Sequence, residues 1–204
     1  MSQAIIRAAK QALREQMRRD LERLGPEQRA TASDQARALL RQQTVWQAAQ
    51  CVMCFAPLPR ELDIWPLVVE AIAAGKRIVL PRFVAARKAY EACVVQNLDR
   101  DLSTGHFNIR EPASHCAPFT ADRLDLILVP GVAFDLQGRR LGRGKGYYDG
   151  LLTALRKSLG TLALPTICAV AFDEQIVSDV PAESHDVRMD CLLTPTRWIK
   201  AEDS

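Results

Sequence analysis

The spacing of hydrophobic positions changes along this 204-residue chain, and each spacing predicts a type of element. Near the start, apolar side chains recur at steps of three and four residues, which is typical of an amphipathic helix with one face on a core. These positions are Ile6, Ala9, Leu13, Met17, Leu21 and Leu24. The pattern predicts a helix over residues 4–24 that ends at Gly25-Pro26, followed by a second helix over residues 27–43.

From residue 51 onward, short continuous apolar runs alternate with helix-compatible segments. Such runs are typical of strands that are buried on both faces of a sheet. The predicted order is strand 51–55, helix 63–74, strands 77–80, 90–95 and 124–129, helix 146–159 and strand 167–171. Asp63 is predicted to cap the first of these helices and Gly75 to end it. The alternation predicts an α/β fold, with a single domain over residues 1–204 and a mainly parallel or mixed sheet flanked by helices on both faces.

Composition and charge add few constraints. Hydrophobic residues make up 48% of the chain and charged residues 25%, which is ordinary for a globular protein. The net charge of +3 is too small to argue for nucleic-acid binding. No apolar run reaches the ~18 residues of a membrane-spanning helix, and residues 1–10 lack a signal-peptide core, so we expect a cytoplasmic protein. A monomer is the default expectation, and residues 96–123 are predicted to form a long loop.

The six cysteines are predicted to be core residues. Cys51 and Cys54 have the C-x-x-C spacing of metal and redox sites. In a strand, however, positions three apart point to opposite faces, and no second C-x-x-C follows. We therefore expect neither a metal nor a redox role for them.

The most informative segment follows the predicted strand 124–129. Residues 138–146 contain four glycines, with Gly142, Gly144 and Gly146 in strict alternation among basic residues, and lead into a predicted helix. Alternating glycines let successive backbone N–H groups face one concavity, and the helix N-terminus adds partial positive charge. The spacing matches neither the Walker A nor the dinucleotide-binding motif. The segment therefore predicts a polyphosphate-binding loop, against the alternative of an ordinary mobile turn.

Two further features are candidates for the same site. Lys10 and Arg14 are one helical turn apart and share a face, which fits either a phosphate clamp or a solvated basic stripe. Glu61 follows the first predicted strand, where it is either a binding carboxylate or an ordinary surface residue. Because ligands of α/β sheets bind beyond the carboxyl ends of the strands, Glu61 and the glycine loop are predicted to line one cleft.

With these residues in this order, the chain resembles the 5-formyltetrahydrofolate cyclo-ligase family, also called 5,10-methenyltetrahydrofolate synthetases. The resemblance spans most of the chain and rests on four segments. They are Lys10-x-x-x-Arg14, Glu61, Pro130-Gly131-x-x-Phe134-Asp135 running into residues 140–149, and Gln175 with Pro181-x-x-x-His185-Asp186. It implies ATP-dependent, Mg²⁺-requiring cyclisation of 5-formyltetrahydrofolate to 5,10-methenyltetrahydrofolate, with release of ADP and phosphate after phosphorylation of the formyl oxygen.

The resemblance also implies roles for individual residues. The implied ATP-binding residues are Lys10, Arg14, Arg140, Leu141, Gly142, Arg143, Gly144, Lys145, Gly146, Tyr147 and Tyr148. The implied substrate-binding residues are Arg14, Ala56, Glu61, Phe107, Arg143, Gly144, Lys145, Gly146 and Tyr147. Arg143 and Lys145 are the candidate catalytic residues, and Asp149 and Asp186 are the candidate Mg²⁺ ligands. The implied partners are therefore a reduced folate and ATP, with no nucleic acid and no membrane.

Other functions remain open at this point. A different ATP-dependent ligase could use the same loop while Glu61 binds another heterocycle. A non-catalytic relative could bind folate or nucleotide without turnover, although the retained basic and acidic residues argue against it. A nucleic-acid-binding module is disfavoured, because the chain shows no aromatic-basic RNA motif.

Overall fold

The structure, a computed structural model, describes residues 3–120, 123–160, 163–183 and 186–202, and the backbone alone at Phe107. The helices are α1 (Gln3–Glu22), α2 (Pro26–Arg41), α3 (Thr44–Ala48), α4 (Trp65–Ala73) and α5 (Tyr147–Leu159), with 3₁₀ turns at His106–Asn108 and Asp173–Gln175. The strands are β1 (Cys51–Met53), β2 (Arg77–Val84), β3 (Ala89–Val95), β4 (Leu102–Thr104), β5 (Arg110–Pro112), β6 (Leu126–Pro130), β7 (Ala133–Phe134), β8 (Arg140–Leu141), β9 (Thr166–Val170), β10 (Cys191–Leu193) and β11 (Trp198–Lys200). Within the described ranges, no helix has the length and apolar character needed to cross a membrane.

Seven strands form the main sheet, in the order β11-β10-β9-β6-β1-β2-β3. The five inner strands are mutually parallel, and the edge strands β3 and β11 run antiparallel to their neighbours. Helices α2 and α4 pack on one face through side chains such as Leu40 and Leu67, whereas α5 covers the other face through Leu152 and Leu155. The predicted α/β class, with helices on both faces of a mainly parallel sheet, is confirmed.

The cysteine pattern follows the alternation of β1. Cys51 packs in the core cluster on the α5 side, and Cys54 packs in the cluster on the opposite face. All six cysteines are buried, and none of them forms a disulfide. Burial raises the pKa of the Cys54 thiol to about 12, which keeps it protonated and unreactive at neutral pH.

The start and end of α4 show how local chemistry sets an element. Gly75 has φ +79°, its N–H donates to the carbonyl of Ile72, and the N–H of Lys76 donates to the carbonyl of Ala71. This is the Schellman pattern, so the predicted helix end at Gly75 is confirmed. The predicted start at Asp63 is two residues early: α4 begins at Trp65, although Asp63 Oδ1 accepts its N–H at 2.9 Å.

The prediction of one long loop over residues 96–123 was wrong in part, because β4 and β5 form an antiparallel hairpin there. Asp101 organises its base: the carboxylate accepts backbone N–H groups from Gln96 and Asn97 and the Nε–H of Arg100. The Arg100 guanidinium and these N–H groups hold the pKa of Asp101 well below its usual range. Such networks of short-range contacts leave little trace in hydrophobic periodicity, and the three-residue strands β10 and β11 were missed for the same reason.

Candidate functional site

The candidate site lies at the carboxyl ends of the adjacent strands β1 and β6, whose following connections run in opposite directions along the sheet. β1 pairs with β2 on one side and with β6 on the other, so the loops after β1 and β6 diverge from the same edge of the sheet. Such a switch point is the usual position of a ligand cleft in α/β sheets. Glu61 lies on the loop after β1, and Arg143 lies on the glycine loop after β6. The Arg143 Nη2 atom donates to Glu61 Oε1 at 2.8 Å, so the two predicted segments do line one cleft.

A buried carboxylate holds the base of the glycine loop. Asp135 follows β7 and is fully buried. Its Oδ1 accepts the backbone N–H groups of Gln137 and Arg139, and its Oδ2 accepts Arg139 Nε–H at 2.6 Å and the N–H of Val180 at 2.8 Å. These bonds fix the turn between β7 and β8, and β8 carries Arg140 into the site. Asp135 belonged to the recognised motif, but its side chain supports the loop and does not line the cleft.

The glycine loop then enters α5 through backbone conformations that only glycine adopts easily. Gly144 has φ +91° and Gly146 has φ +67°, both in the left-handed region. Gly146 is the residue immediately before α5. The backbone N–H groups of the loop therefore lie next to the positive N-terminal end of a 13-residue helix. Lys145 is exposed between the two glycines and forms no ion pair with the described residues. Its ammonium group is therefore available to an incoming anion.

The first of two main cavities is aromatic. Its volume is about 140 Å³, and the predicted residues Ala56, Glu61 and Tyr147 line it. The ring of Tyr90 lies 5.4 Å from that of Tyr147 and 5.6 Å from that of Tyr148, centroid to centroid. Burial raises the pKa of Tyr90 to about 12 and that of Tyr148 well above its usual value, so both phenols are neutral donors. Such a cavity can accommodate a flat heterocycle.

Glu61 is the principal acceptor in this cavity. Its side chain is only 9% exposed, which excludes the alternative of an ordinary surface residue. Oε2 accepts the backbone N–H of Leu58 at 2.9 Å, while Oε1 accepts from Arg143. The carboxylate is thus oriented with one oxygen paired to backbone and the other to a cation that is itself half exposed. A ligand with two adjacent N–H donors can compete for these oxygens.

Sequence reasoning missed several residues of the aromatic cavity. Tyr90, Ile109 and Leu58 all line it. Tyr90 was assigned to a strand, but the extension of β2 beyond its predicted end at residue 80, which pairs Phe83 with Tyr90, was not predicted. The side chain of Phe107 and all of His185 lie outside the described residues.

The second main cavity is polar, with a volume of about 520 Å³. The predicted residues that line it are Lys10, Arg14, Arg140, Leu141, Gly142, Gly144, Gly146, Asp149 and Asp186. Arg14 reaches from α1 to the glycine loop, where its Nε–H donates to the carbonyl of Gly142 at 2.9 Å. The solvated-stripe alternative is therefore wrong for the face that holds Lys10 and Arg14. Leu141 contributes little side chain here, because it is buried in a small cluster with Met17, Ala133 and Val180.

Lys10 is held between two carboxylates. Its Nζ lies 2.8 Å from Asp186 Oδ2 and 2.9 Å from Glu183 Oε2. Burial on its own lowers the pKa of this ammonium group, but the hydrogen bonds and charges of Asp186 and Glu183 outweigh it and raise the pKa. Glu183 was not identified from the sequence, although it stands three residues before the candidate metal ligand.

Arg140 forms the wall between the two cavities and lines both. Its side chain is 3% exposed, and Nη2 donates to Asp149 Oδ1 at 2.7 Å. Its guanidinium carbon lies 5.7 Å from the centroid of the Tyr148 ring. The buried Nε has no hydrogen-bond partner in the described part of the chain. A buried cation with a spare donor at this position favours negative charge in the cleft.

The carboxylates suit a divalent cation. Asp149 and Asp186 line the same cavity, and each is neutralised by a cation of the protein, Arg140 and Lys10 respectively. Mg²⁺ prefers one or two carboxylates together with phosphate oxygens and water. Two carboxylates in one cavity are a donor set that Mg²⁺ can use, and the metal role of Asp149 and Asp186 stays a prediction.

Comparisons with known proteins give a consistent family assignment. A sequence model of the 5-formyltetrahydrofolate cyclo-ligase family matches residues 6–195. The 5-formyltetrahydrofolate cyclo-ligase of Mus musculus is 28% identical over 208 residues, covering 95% of this chain and 97% of that protein. That of Mycolicibacterium smegmatis is 33% identical over 159 residues, covering 76% and 78%.

A solved structure is similar over nearly the whole chain. The NMR structure of the Aquifex aeolicus 5,10-methenyltetrahydrofolate synthetase superposes with a TM-score of 0.79 at 29% identity, covering 96% of this chain and 94% of that one. The family match, the relatives and the shared fold lead to the same assignment as the motifs. The chain belongs to the 5-formyltetrahydrofolate cyclo-ligase family.

Proposed function

We propose that this protein is a ligase that converts 5-formyltetrahydrofolate to 5,10-methenyltetrahydrofolate and hydrolyses ATP to ADP and phosphate in the process. The observation that carries the proposal is the contact between Arg143 and Glu61 at 2.8 Å. It joins the glycine loop to the acceptor of the aromatic cavity, so a heterocycle and a triphosphate bound to the two sides meet at one place.

The proposed binding follows the chemistry of each cavity. A pterin ring presents an amino group and a ring N–H along one edge, and the carboxylate of Glu61 can accept both. The rings of Tyr90, Tyr147 and Tyr148 supply an apolar surface for the heterocycle. The ATP phosphates lie in the polar cavity, where Lys10, Arg14 and the loop N–H groups surround them.

The reaction needs positioning and charge neutralisation rather than a protein nucleophile. The formyl oxygen attacks the γ-phosphorus of ATP, the bond to the β-phosphate oxygen breaks, and ADP leaves. The second folate nitrogen then attacks the activated formyl carbon and closes the ring. That nitrogen loses its proton to solvent, and the bond between the carbon and the phosphate oxygen breaks, so phosphate leaves and the methenyl group remains. Arg143 and Lys145, both exposed at the cleft, stabilise the charge on the transferring phosphoryl group.

A metal completes the nucleotide site in this proposal. Asp149 and Asp186 would hold Mg²⁺, and this ion would neutralise phosphate charge when bound. Lys10, now paired with Asp186, would be released towards a phosphate oxygen.

The experiment is the rise in ultraviolet absorbance of 5,10-methenyltetrahydrofolate when the protein is mixed with 5-formyltetrahydrofolate, Mg²⁺ and ATP. One control omits ATP, and the other uses the Lys145→Ala variant in place of the unsubstituted protein. An ATP-dependent rise that the variant loses supports the reaction and the phosphate role of the loop. No rise from folded protein that still binds ATP would contradict the proposal and favour a different ATP-dependent ligase or a non-catalytic folate binder.

A further inference from the structure

A cluster of three possible metal ligands lies at the base of the hairpin of β4 and β5. It consists of Asp101, just before β4, and of His115 and Cys116, in the turn after β5. One ligand atom of each side chain lies within 4.8 Å of the other two. The described residues that line the aromatic and polar cavities include none of the three, so the cluster is separate from the site of the proposed reaction.

Hydrogen bonds to backbone carbonyls bring the three residues together. The carbonyl of Asp101 accepts the N–H of Ala113 at 2.8 Å and the thiol of Cys116 at 3.2 Å. The N–H of Cys116 donates to the carbonyl of Ala113 at 3.0 Å, which closes the turn that carries His115. The fold itself therefore holds the three side chains next to each other before any ion binds.

The distances within the cluster suit an ion held between these side chains. Asp101 Oδ1 lies 3.2 Å from His115 Nε2. An oxygen and a nitrogen that both ligate a tetrahedral zinc ion, at about 2.0–2.1 Å, are roughly 3.3 Å apart. The longest separation in the cluster would have to shorten by roughly 1 Å for the sulfur to complete the set. The His115 side chain is 54% exposed, so it can rotate to allow this closure.

A cation of the protein competes for the same carboxylate. Arg100 Nε–H donates to Asp101 Oδ1 at 2.8 Å, and the Arg100 side chain is 68% exposed. This guanidinium can therefore move into solvent when an ion takes its place. The Asp101 side chain is 5% exposed, and its Oδ2 accepts the N–H groups of Gln96 and Asn97. Hydrogen bonds of this kind orient a carboxylate that binds a metal through its other oxygen.

We propose that Asp101, His115 and Cys116 bind one Zn²⁺ ion, with a water molecule in the fourth position. Thiolate, imidazole and carboxylate are the ligands that zinc uses, whereas Mg²⁺ and Ca²⁺ prefer oxygen ligands. When the ion binds, the Cys116 thiol loses its proton to solvent and a zinc–sulfur bond replaces its hydrogen bond. The strand alternation that separates Cys51 from Cys54 does not apply to Cys116, which lies in a turn beside a histidine.

A zinc ion at this position would tie the two ends of the hairpin together. Asp101 and His115 are 14 residues apart in the sequence, and β4 and β5 lie between them. Ile109, which lines the aromatic cavity, lies in the connection between these two strands. The ion would therefore stabilise the hairpin that supplies part of the wall of that cavity.

The experiment uses the full chain without a polyhistidine tag, reduced and freed of metal with a chelator. Calorimetry measures Zn²⁺ binding, and Co²⁺ serves as a spectroscopic probe, because a thiolate ligand gives cobalt an intense charge-transfer band in the near ultraviolet. We expect this band, and an unfolding temperature that rises as Zn²⁺ is added. Cys116→Ser should remove the band, and His115→Gln should weaken Zn²⁺ binding roughly tenfold or more.

Two further variants serve as matched tests. Arg100→Gln removes the competing guanidinium and should tighten Zn²⁺ binding about two- to fivefold. His106→Gln changes a histidine in the connection between β4 and β5, at the other end of the hairpin, and should leave Zn²⁺ binding unchanged. An ion held by the carboxylates Asp149 and Asp186 would give no thiolate band, so the two sites are distinguishable.

Several results would overturn the zinc site. They are a folded protein that gives no cobalt band, a band that survives Cys116→Ser, and equal weakening of Zn²⁺ binding by His106→Gln and His115→Gln. If Cys116→Ser does not fold, the exposed position decides: unchanged Zn²⁺ binding in His115→Gln would refute the site. Turnover of 5-formyltetrahydrofolate is measured separately, and its absence would leave the zinc result unaffected.

Discussion

Replacement of Glu61 by glutamine tests the acceptor of the aromatic cavity while keeping its shape. The amide oxygen can still accept the backbone N–H of Leu58, so the loop after β1 keeps its local bond. The other end of the amide becomes a donor. In the variant this NH₂ group faces the guanidinium of Arg143, which in the unsubstituted protein donates to Glu61 Oε1 at 2.8 Å. A pterin edge with two donors would meet one acceptor and one donor.

The size of the effect follows from what is lost. A hydrogen bond to a charged group contributes about 1.5–3 kcal/mol, and the side chain of Glu61 is only 9% exposed, so water replaces little of it. This corresponds to a loss in folate affinity of roughly 10- to 150-fold. The Arg143 side chain is 54% exposed, so loss of its ion pair should change the free energy of unfolding by less than about 1 kcal/mol.

The assay is KM for 5-formyltetrahydrofolate and for ATP, together with urea unfolding of each variant. We expect a large rise in KM for the folate and little change in KM for ATP. Glu91→Gln is the matched control, because Glu91 is also paired with arginines, Arg82 at 2.8 Å and Arg87 at 2.7 Å, but lies on β3 away from the cavities. An unchanged KM for the folate in Glu61→Gln would refute the assignment of Glu61 to the heterocycle.

Four further substitutions give separable outcomes. Lys145→Ala removes an exposed ammonium group, so the free energy of unfolding should change by less than about 0.5 kcal/mol, while kcat falls about a hundredfold or more. Gly138→Ala should destabilise by about 2 kcal/mol or more in urea unfolding, because φ is +75° and a Cβ would lie 2.2 Å from a backbone oxygen. Gly150→Ala within α5 should instead stabilise by about 0.5–1 kcal/mol, since its Cβ meets no atom within 4 Å. The pKa of Asp101 is depressed by Arg100 and backbone N–H groups, so its stabilisation is present above about pH 4 and is lost below it. Asp101→Asn should therefore lower the free energy of unfolding at neutral pH and flatten its decline in acid.

Each of these expectations has a contradicting result. Full activity of Lys145→Ala would remove that residue from the phosphoryl-transfer step. Equal effects of the two glycine substitutions would mean that backbone conformation at Gly138 does not limit stability. An acid decline in Asp101→Asn as steep as that of the unsubstituted protein would transfer the pH dependence to other carboxylates.

The sequence was sufficient to predict local structure at positions where the backbone conformation or the period of the element restricts which residue type can occur. Gly75 ended α4 as predicted because only glycine adopts its backbone conformation without strain. Cys51 and Cys54 point to opposite faces because a strand alternates with period two. The continuous apolar runs likewise predicted four of the five inner strands, since burial on both faces requires them, whereas β10 was missed.

The sequence was insufficient where a side chain's environment comes from distant segments. Nothing near Asp149 or Asp186 indicated that Arg140 and Lys10 neutralise them, and Lys10 is 176 residues from Asp186. Tyr90 was predicted to lie in a strand, but its neighbours were not predicted, because β2 extends to Val84 and pairs Phe83 with Tyr90. Arg60 is likewise paired with Glu22, which lies on a different element.

The first helix is attached to the rest of the protein in two different ways. Its buried side chains, Met17 and Leu21, both lie in the second half, whereas the first half is held by the polar contacts of Lys10. Polar contacts of this kind weaken as salt is added. A bound ligand stabilises the folded segment that it contacts, and at a hundred times its Kd it adds about 2.7 kcal/mol to the free energy of unfolding. Amide hydrogens of the first turns should therefore exchange faster than those near Met17 in the free protein and slow down as nucleotide is added. The exchange rate of amide hydrogens in the N-terminal half of α1 would then report how much of the protein has nucleotide bound.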